Sequence, residues 1–338
     1  MNKKNFYLSI VFISLVFVLT GQDLNQTNTR YSPLYQNPAF TGGFYGTIRL
    51  GGTYRDQGRQ LMGEGFKTMN IFIDAPISIS LGKNNWIGAG LQIYNDKAGA
   101  AQMVTQGVIL NMAYHLSFDK KYKNVLSFGA QYGMIQKKLD GEKIEVASDY
   151  VDPGVTLTDR AALSAYKADY KDTNFGVAFK SKFAKASSFT IGIAAYHIFA
   201  PKYAGIKYNN YVNRRYTFHS GLYYRLTKIF MIEPQIIVSL SNNSSNIMPQ
   251  FKSFIKLSKD KNKTDMVYFG LGYRINDALQ VMMGMKYKNF DIGFAYDITI
   301  SSAAQYNNHQ GGIEFGVYKI FQIHKKRDVT PILICPEL

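Results

Sequence analysis

Cysteine is close to absent. A single Cys335, among the last four residues, excludes any intrachain disulfide framework. Tryptophan is also a single residue, and no segment beyond the N-terminus reaches the ~18 consecutive apolar residues of a membrane-spanning helix. Acidic residues are few, 23 against 39 Lys and Arg, leaving a net charge of +16. That excess is not clustered on one helix or loop, which argues against a nucleic-acid partner. The five histidines, His115, His197, His219, His309 and His324, include no pair at i, i+4 and no zinc signature. Phosphate loops and dinucleotide fingerprints are missing too. Gly88-x-Gly90 and Gly270-x-Gly272 fall inside strand-like stretches, where glycine marks close packing. No cofactor and no metal is expected, and no enzyme class is indicated.

Tyr (25), Phe (23) and Gly (29) are abundant, and only 18 % of residues are charged. Such a composition suits a membrane barrel, which needs aromatic girdles, an apolar outer band and small residues inside. The mean hydropathy of -0.15 does not conflict, because only alternate residues of a spanning strand are apolar. Alternation is clearest from Leu279 to Gln322. Leu279, Val281, Met283, Met285 and Tyr287 alternate with Gln280, Met282, Gly284 and Lys286. Phe290, Ile292, Phe294, Tyr296, Ile298 and Ile300 then alternate with Asp291, Gly293, Ala295, Asp297 and Thr299, and the pattern returns over 312–318. A period of two with one apolar face and one polar or small face predicts strands between lipid and a wet or filled lumen.

Lys3 and Lys4 precede an apolar run from Phe6 to Leu19, so residues 1–21 read as a secretory signal cleaved near Gly21–Gln22. A lumenal or periplasmic segment, 22–43, follows; its two prolines at 33 and 38 exclude a central strand. The barrel is placed over 44–322 and a periplasmic tail over 323–338. Strands are expected at 44–55, 66–77, 85–95, 104–117, 124–137, 173–183 and 188–199, then at 214–226, 229–241, 247–258, 265–275, 278–287, 289–300 and 311–322. The fold class is therefore an all-β, antiparallel up-and-down transmembrane barrel of about fourteen strands, of outer-membrane type.

The connections alternate between long and short, as in barrels with long outer loops and short periplasmic turns. The short set is lysine-rich, with Lys120, Lys121, Lys259, Lys261 and Lys263 prominent. This basic rim has two readings: a docking surface for an acidic periplasmic partner, or ordinary solvated turns. The longest loop, 139–172, carries Asp140, Glu142, Glu145, Asp149, Asp152 and Asp159. Their spacing fits no calcium loop, and the segment reads as a solvated cap. Charged residues expected inside include Asp291, Asp297, Glu314, Lys286 and Arg274, with Glu233, Lys252 and Lys256. Their near balance favours mutual pairing over an open selective pore. His219 and Ser220 do not form a base–nucleophile pair, because neighbours on a strand point to opposite faces.

Two stretches carry a family resemblance. Tyr31-x-Pro33-Leu34-Tyr35-x-Asn37-Pro38-Ala39-Phe40-x-Gly42 resembles an opening motif of an aromatic, Asn-Pro-Leu, an aromatic pair and Asn-Pro-Ala-(Phe/Tyr)-x-Gly, with Ser32 in place of the first Asn. Tyr296-Asp297-Ile298, Gly311-Gly312-Ile313-Glu314 and the terminal Cys335-Pro336-Glu337-Leu338 resemble the closing strands and tail, with Leu338 where Phe is usual. Together they resemble the PorP/SprF family of type IX secretion system outer-membrane proteins. The resemblance implies a non-enzymatic outer-membrane barrel of the Bacteroidota, serving secretion, gliding motility or surface anchoring of an adhesin-like cargo. It also implies partners: the outer-membrane bilayer, a cargo protein with a C-terminal secretion domain, other type IX components and a periplasmic peptidoglycan-binding protein. The motif residues Tyr31, Pro33, Leu34, Tyr35, Asn37, Pro38, Phe40 and Gly42 become candidate contacts. A passive channel or hydrophobic-solute transporter is the competing expectation.

Overall fold

The computed structural model describes residues 26–59, 65–77, 84–98, 103–139, 167–184, 187–202, 211–242, 244–257 and 265–323. The signal segment 1–21, the acidic loop residues 140–166, the rim lysines Lys259, Lys261 and Lys263, and the tail from His324 through Cys335 to Leu338 lie outside them.

The alternating stretches form β1 (Ile48–Gln57), β2 (Phe66–Ile77), β3 (Trp86–Ala98), β4 (Met103–Ser117), β5 (Asn124–Leu139), β6 (Lys167–Ala184) and β7 (Ser187–Tyr196). The second half is β8 (Arg215–Arg225), β9 (Phe230–Ser241), β10 (Ser244–Lys256), β11 (Met266–Arg274), β12 (Ala278–Tyr287), β13 (Phe290–Thr299) and β14 (Gln310–Phe321). Every strand pairs antiparallel with its sequence neighbours, and β1 pairs with β14 from Ile48↔Phe321 to Gln57↔Gly312. Closure leaves no strand edge, which a bilayer demands because lipid offers no hydrogen-bond partner. No described helix is long and apolar enough to cross a membrane; the strands cross it.

The period of two sorts the two faces. Ile71, Ile93, Leu110, Met134, Ile193, Phe269, Met283 and Phe315 project outward, while Asn70, Gln92, Asn111, Gln131, Gln280 and Glu314 are buried inside. At the short-turn end the outward face ends in aromatics: Phe183, Tyr224, Tyr287, Phe290 and Phe321 are each the first, last or penultimate residue of a strand. These form the girdle expected where bilayer meets water.

Two boundaries correct the sequence reading. The first strand starts at Ile48, not at 44, because Phe44 is only 1 % exposed, turned into the lumen beneath Arg49. Gly46, at φ +155°, swings the chain from lumen to wall, where a Cβ would collide with the Ile320 side chain. The long loop is also shorter than 139–172: β6 begins at Lys167. Ala168, Tyr170 and Asp172 face in, while Lys167, Asp169 and Lys171 face out and are exposed. This end of the strand rises beyond the lipid band, so charge lies on the outer face, the reverse of the pattern that marks a spanning strand.

Candidate functional site

The barrel is not hollow. Residues 26–44 run through the lumen as two short 3₁₀ turns, Thr29–Tyr31 and Pro38–Phe40, flanking one helical turn, α1 (Pro33–Gln36). A second one-turn helix, α2 (Ala304–Asn307), lies in the β13–β14 loop. Pro33 and Pro38 each open a helical turn, where the absent N–H costs nothing and φ is preset. Asn37 caps the second 3₁₀ turn, its side chain accepting the Ala39 N–H at 2.9 Å. The prolines and asparagine of the opening motif thus shape a compact plug. Tyr31, Leu34, Asn37 and Ala39 are fully buried, and Pro33 and Pro38 are buried with them.

The plug is fastened to three sectors of the wall. At its start, Glu314 accepts the backbone N–H groups of Thr27 (2.7 Å) and Asn28 (2.8 Å). The Thr27 hydroxyl donates to Asp297 (2.8 Å), and Gln250 donates to the Thr27 carbonyl (2.8 Å). Arg55 joins the two acids, 2.6 Å from Asp297 and 3.2 Å from Glu314, while Arg274 lies 3.0 Å from Asp297. One turn on, Asp291 accepts from Arg30 (2.7 Å), Tyr31 (2.7 Å) and Tyr318 (2.9 Å).

In the middle, the Asn37 amide nitrogen lies 3.2 Å from the Val177 carbonyl, 3.1 Å from the Ile193 carbonyl and 3.0 Å from His219 Nε2. Gln131 donates to the Leu34 carbonyl at 2.7 Å. At the end, His115 Nε2 donates to the Thr41 carbonyl (2.8 Å) and Trp86 donates to the Gly42 carbonyl (3.0 Å). The Gly42 N–H donates to Asp74 (2.7 Å), which is also bound by Arg49 (2.7 Å). Gly42 sits at φ +67° against the Gly88 backbone, so no other residue fits there. Gly88, Gly129 and Gly176 are the wall's counterparts: a Cβ on each would collide with Thr41, Pro38 and Asn37 respectively.

The sequence-derived lumen charges are therefore distributed as follows. Asp291, Asp297, Glu314 and Arg274 are buried and engaged, and Lys286 is buried on β12 opposite Asp291 of β13. Arg55, Arg49 and Asp74 belong to the same networks but were not singled out from the sequence, since each lies in an ordinary alternating strand with no local motif. His219 holds the plug through Asn37.

On the long-loop side, Tyr35 floors a vestibule of about 290 Å³ walled by Tyr94, Tyr170, Tyr196 and Tyr211. Arg215 donates to the Tyr35 hydroxyl (2.7 Å) and lies over the Tyr196 ring at 4.1 Å. On the turn side, Lys120 and Lys121 are exposed in the β4–β5 turn. Asp119 organises that turn, accepting the N–H groups of Lys121 (2.9 Å), Lys123 (3.0 Å) and Asn124 (2.8 Å). Desolvation pushes its carboxyl up, but these donors outweigh it and hold the group below the ordinary carboxylate range.

The model of the type IX secretion system membrane protein PorP/SprF family matches residues 18–314, most of the chain. The chain belongs to the PorP/SprF family. As a family member with a closed barrel it is an outer-membrane protein, and the plug is built from the stretch that carries the family resemblance. No curated protein sequence matches it. Among solved structures it is similar to a Pseudomonas aeruginosa FadL homologue, at TM-score 0.52 and 9 % identity over 87 % of this chain and 94 % of that one. It is also similar to the CymD monoaromatic hydrocarbon channel, at TM-score 0.50 and 9 % identity over the same shares. At such identities the likeness is one of fold.

Proposed function

We propose that this PorP/SprF barrel is a non-catalytic anchoring or secretion-accessory component. It holds an adhesin-like cargo protein, through the cargo's C-terminal secretion domain, on the long-loop side. The turn side meets other type IX components and a periplasmic peptidoglycan-binding protein. The supporting observation is the lumen itself: the motif segment runs across it and is tied to β1, β2, β13 and β14 and to the opposite wall. Free diffusion of solute does not need such a fastening, whereas a fixed platform for a protein does. The tyrosine vestibule above Tyr35 offers rigid aromatic contacts of the kind protein interfaces use. Purification of tagged protein from outer membranes is expected to bring down a large secreted protein together with secretion components. Recovery of the barrel without either would overturn the proposal.

A second reading, a channel for hydrophobic solutes, draws on the fold shared with a protein named as a monoaromatic hydrocarbon channel. It requires a passage past the plug, and conductance measurements separate the two readings.

A further inference from the structure

Below the plug lies a second cavity, of about 220 Å³. Ser188 near the start of β7, Met266 at the start of β11 and Lys286 near the end of β12 line it, so it belongs to the turn-side half of the lumen. Its charged wall residues are Arg30, Arg49, Lys180, Glu233, Lys252 and Lys286, and Phe44, Tyr223 and Phe254 supply an apolar surface. Arg30 and Arg49 are matched by Asp291 and Asp74, which are not part of the wall.

Lys252 is different. It is 1 % exposed, yet it makes no hydrogen bond or ion pair with any described residue. Glu233 is its cross-strand neighbour on β9, but the two form no ion pair, and Glu233 Oε2 has no hydrogen-bond partner. An ammonium withdrawn from bulk water without a direct acceptor is unfavourable, and because Lys252 lines the cavity an anion entering it would supply the missing partner. By formal charge the wall residues are five basic side chains and one acidic one, Glu233.

We propose that this cavity binds an organic carboxylate with an apolar or aromatic body, entering from the periplasmic side and placing its carboxylate on Lys252. Two sources share this chemistry, a free aromatic acid and the C-terminal end of a peptide. Calorimetric titration of the detergent-purified full-length mature protein with benzoate, benzamide, N-acetyl-Ala-Ala-Phe and its C-terminal amide tests it. Benzoate or the free-acid peptide is expected to bind one to one, at least tenfold more tightly than its neutral amide. The tighter of the two acids identifies the source. Lys252→Met is expected to lower affinity for the acid at least tenfold, and Lys252→Arg to retain it. Equal binding of acid and amide, no binding of either acid, or unchanged affinity in a folded Lys252→Met would overturn the proposal. The acid-to-amide comparison on the wild-type protein requires no variant.

Discussion

Asn37 Nδ2 and His219 Nε2 stand 3.0 Å apart, joining the plug to β8 across 182 residues of sequence. The same amide group reaches two wall carbonyls, so one side chain fixes the middle of the plug. Asn37→Ala would leave buried acceptors without a donor and is expected to cost about 3 kcal/mol, from ~1–3 kcal/mol for each orphaned group. Asn37→Asp should cost more, since a carboxylate cannot donate to carbonyls. Thermal unfolding in detergent measures both, and an unchanged midpoint for Asn37→Asp would contradict this role.

Arg55 is the shared cation of Asp297 and Glu314. Removing one member of a buried ion network typically costs ~3–5 kcal/mol. Arg55→Met should lie near the lower end, about 3 kcal/mol, because Arg274 still faces Asp297 and Glu314 still accepts two backbone N–H groups. Denaturant midpoints of the two proteins give the comparison.

Gly129 lies directly beneath Pro38, with no room for a side chain. Gly129→Val is expected to unseat the middle of the plug while leaving the strand pairing of β5 intact, because valine suits a strand. Protease cleavage within 26–46 should rise in the variant while the barrel fragment persists. Resistance equal to wild type would mean that the plug tolerates the displacement.

Planar bilayers separate platform from passage. The wild-type protein is expected to show little conductance, and deletion of residues 26–43 to open a large one. High conductance of the wild type would favour the channel reading.

Asp119 gives a pH dependence of known sign. Its carboxyl is held below its ordinary value in the folded turn, so its contribution is complete above the unfolded value and is lost as pH falls through the folded one. Hydrogen exchange at the Lys121, Lys123 and Asn124 amides, corrected for intrinsic rates, should accelerate on acidification. In Asp119→Asn this added acid sensitivity should vanish.

Strand positions were legible because lipid on one side and a filled lumen on the other impose a period of two, as Leu279–Tyr287 shows residue by residue. The start of β6 was not, because outside the bilayer the outward residues Lys167, Asp169 and Lys171 are solvated and read as loop. Asp291, Asp297 and Glu314 stood out as charges inside apolar strands, but apart from Arg274 beside Asp297 their partners did not. Thr27, Arg30 and Arg55 lie more than 240 residues away in sequence, and only closure of the sheet brings them together. The motif's prolines and Asn37 marked an ordered segment; of the glycines that receive it, Gly88 was marked by Gly88-x-Gly90 as a place of close packing, whereas Gly129 and Gly176, on two further strands, carry no local signature.

Glu314 holding Thr27 and Asn28 has a consequence for assembly. The plug is the first described part of the chain to be synthesised, while its anchor lies on β14, the last strand. Until that strand arrives, the Thr27 and Asn28 N–H groups lack their acceptor and β1 lacks its second neighbour. Seam closure and plug seating therefore depend on the same late event. A chain truncated before β14 would lose both at once, and its unfinished interior would be exposed to whatever escorts it to the membrane.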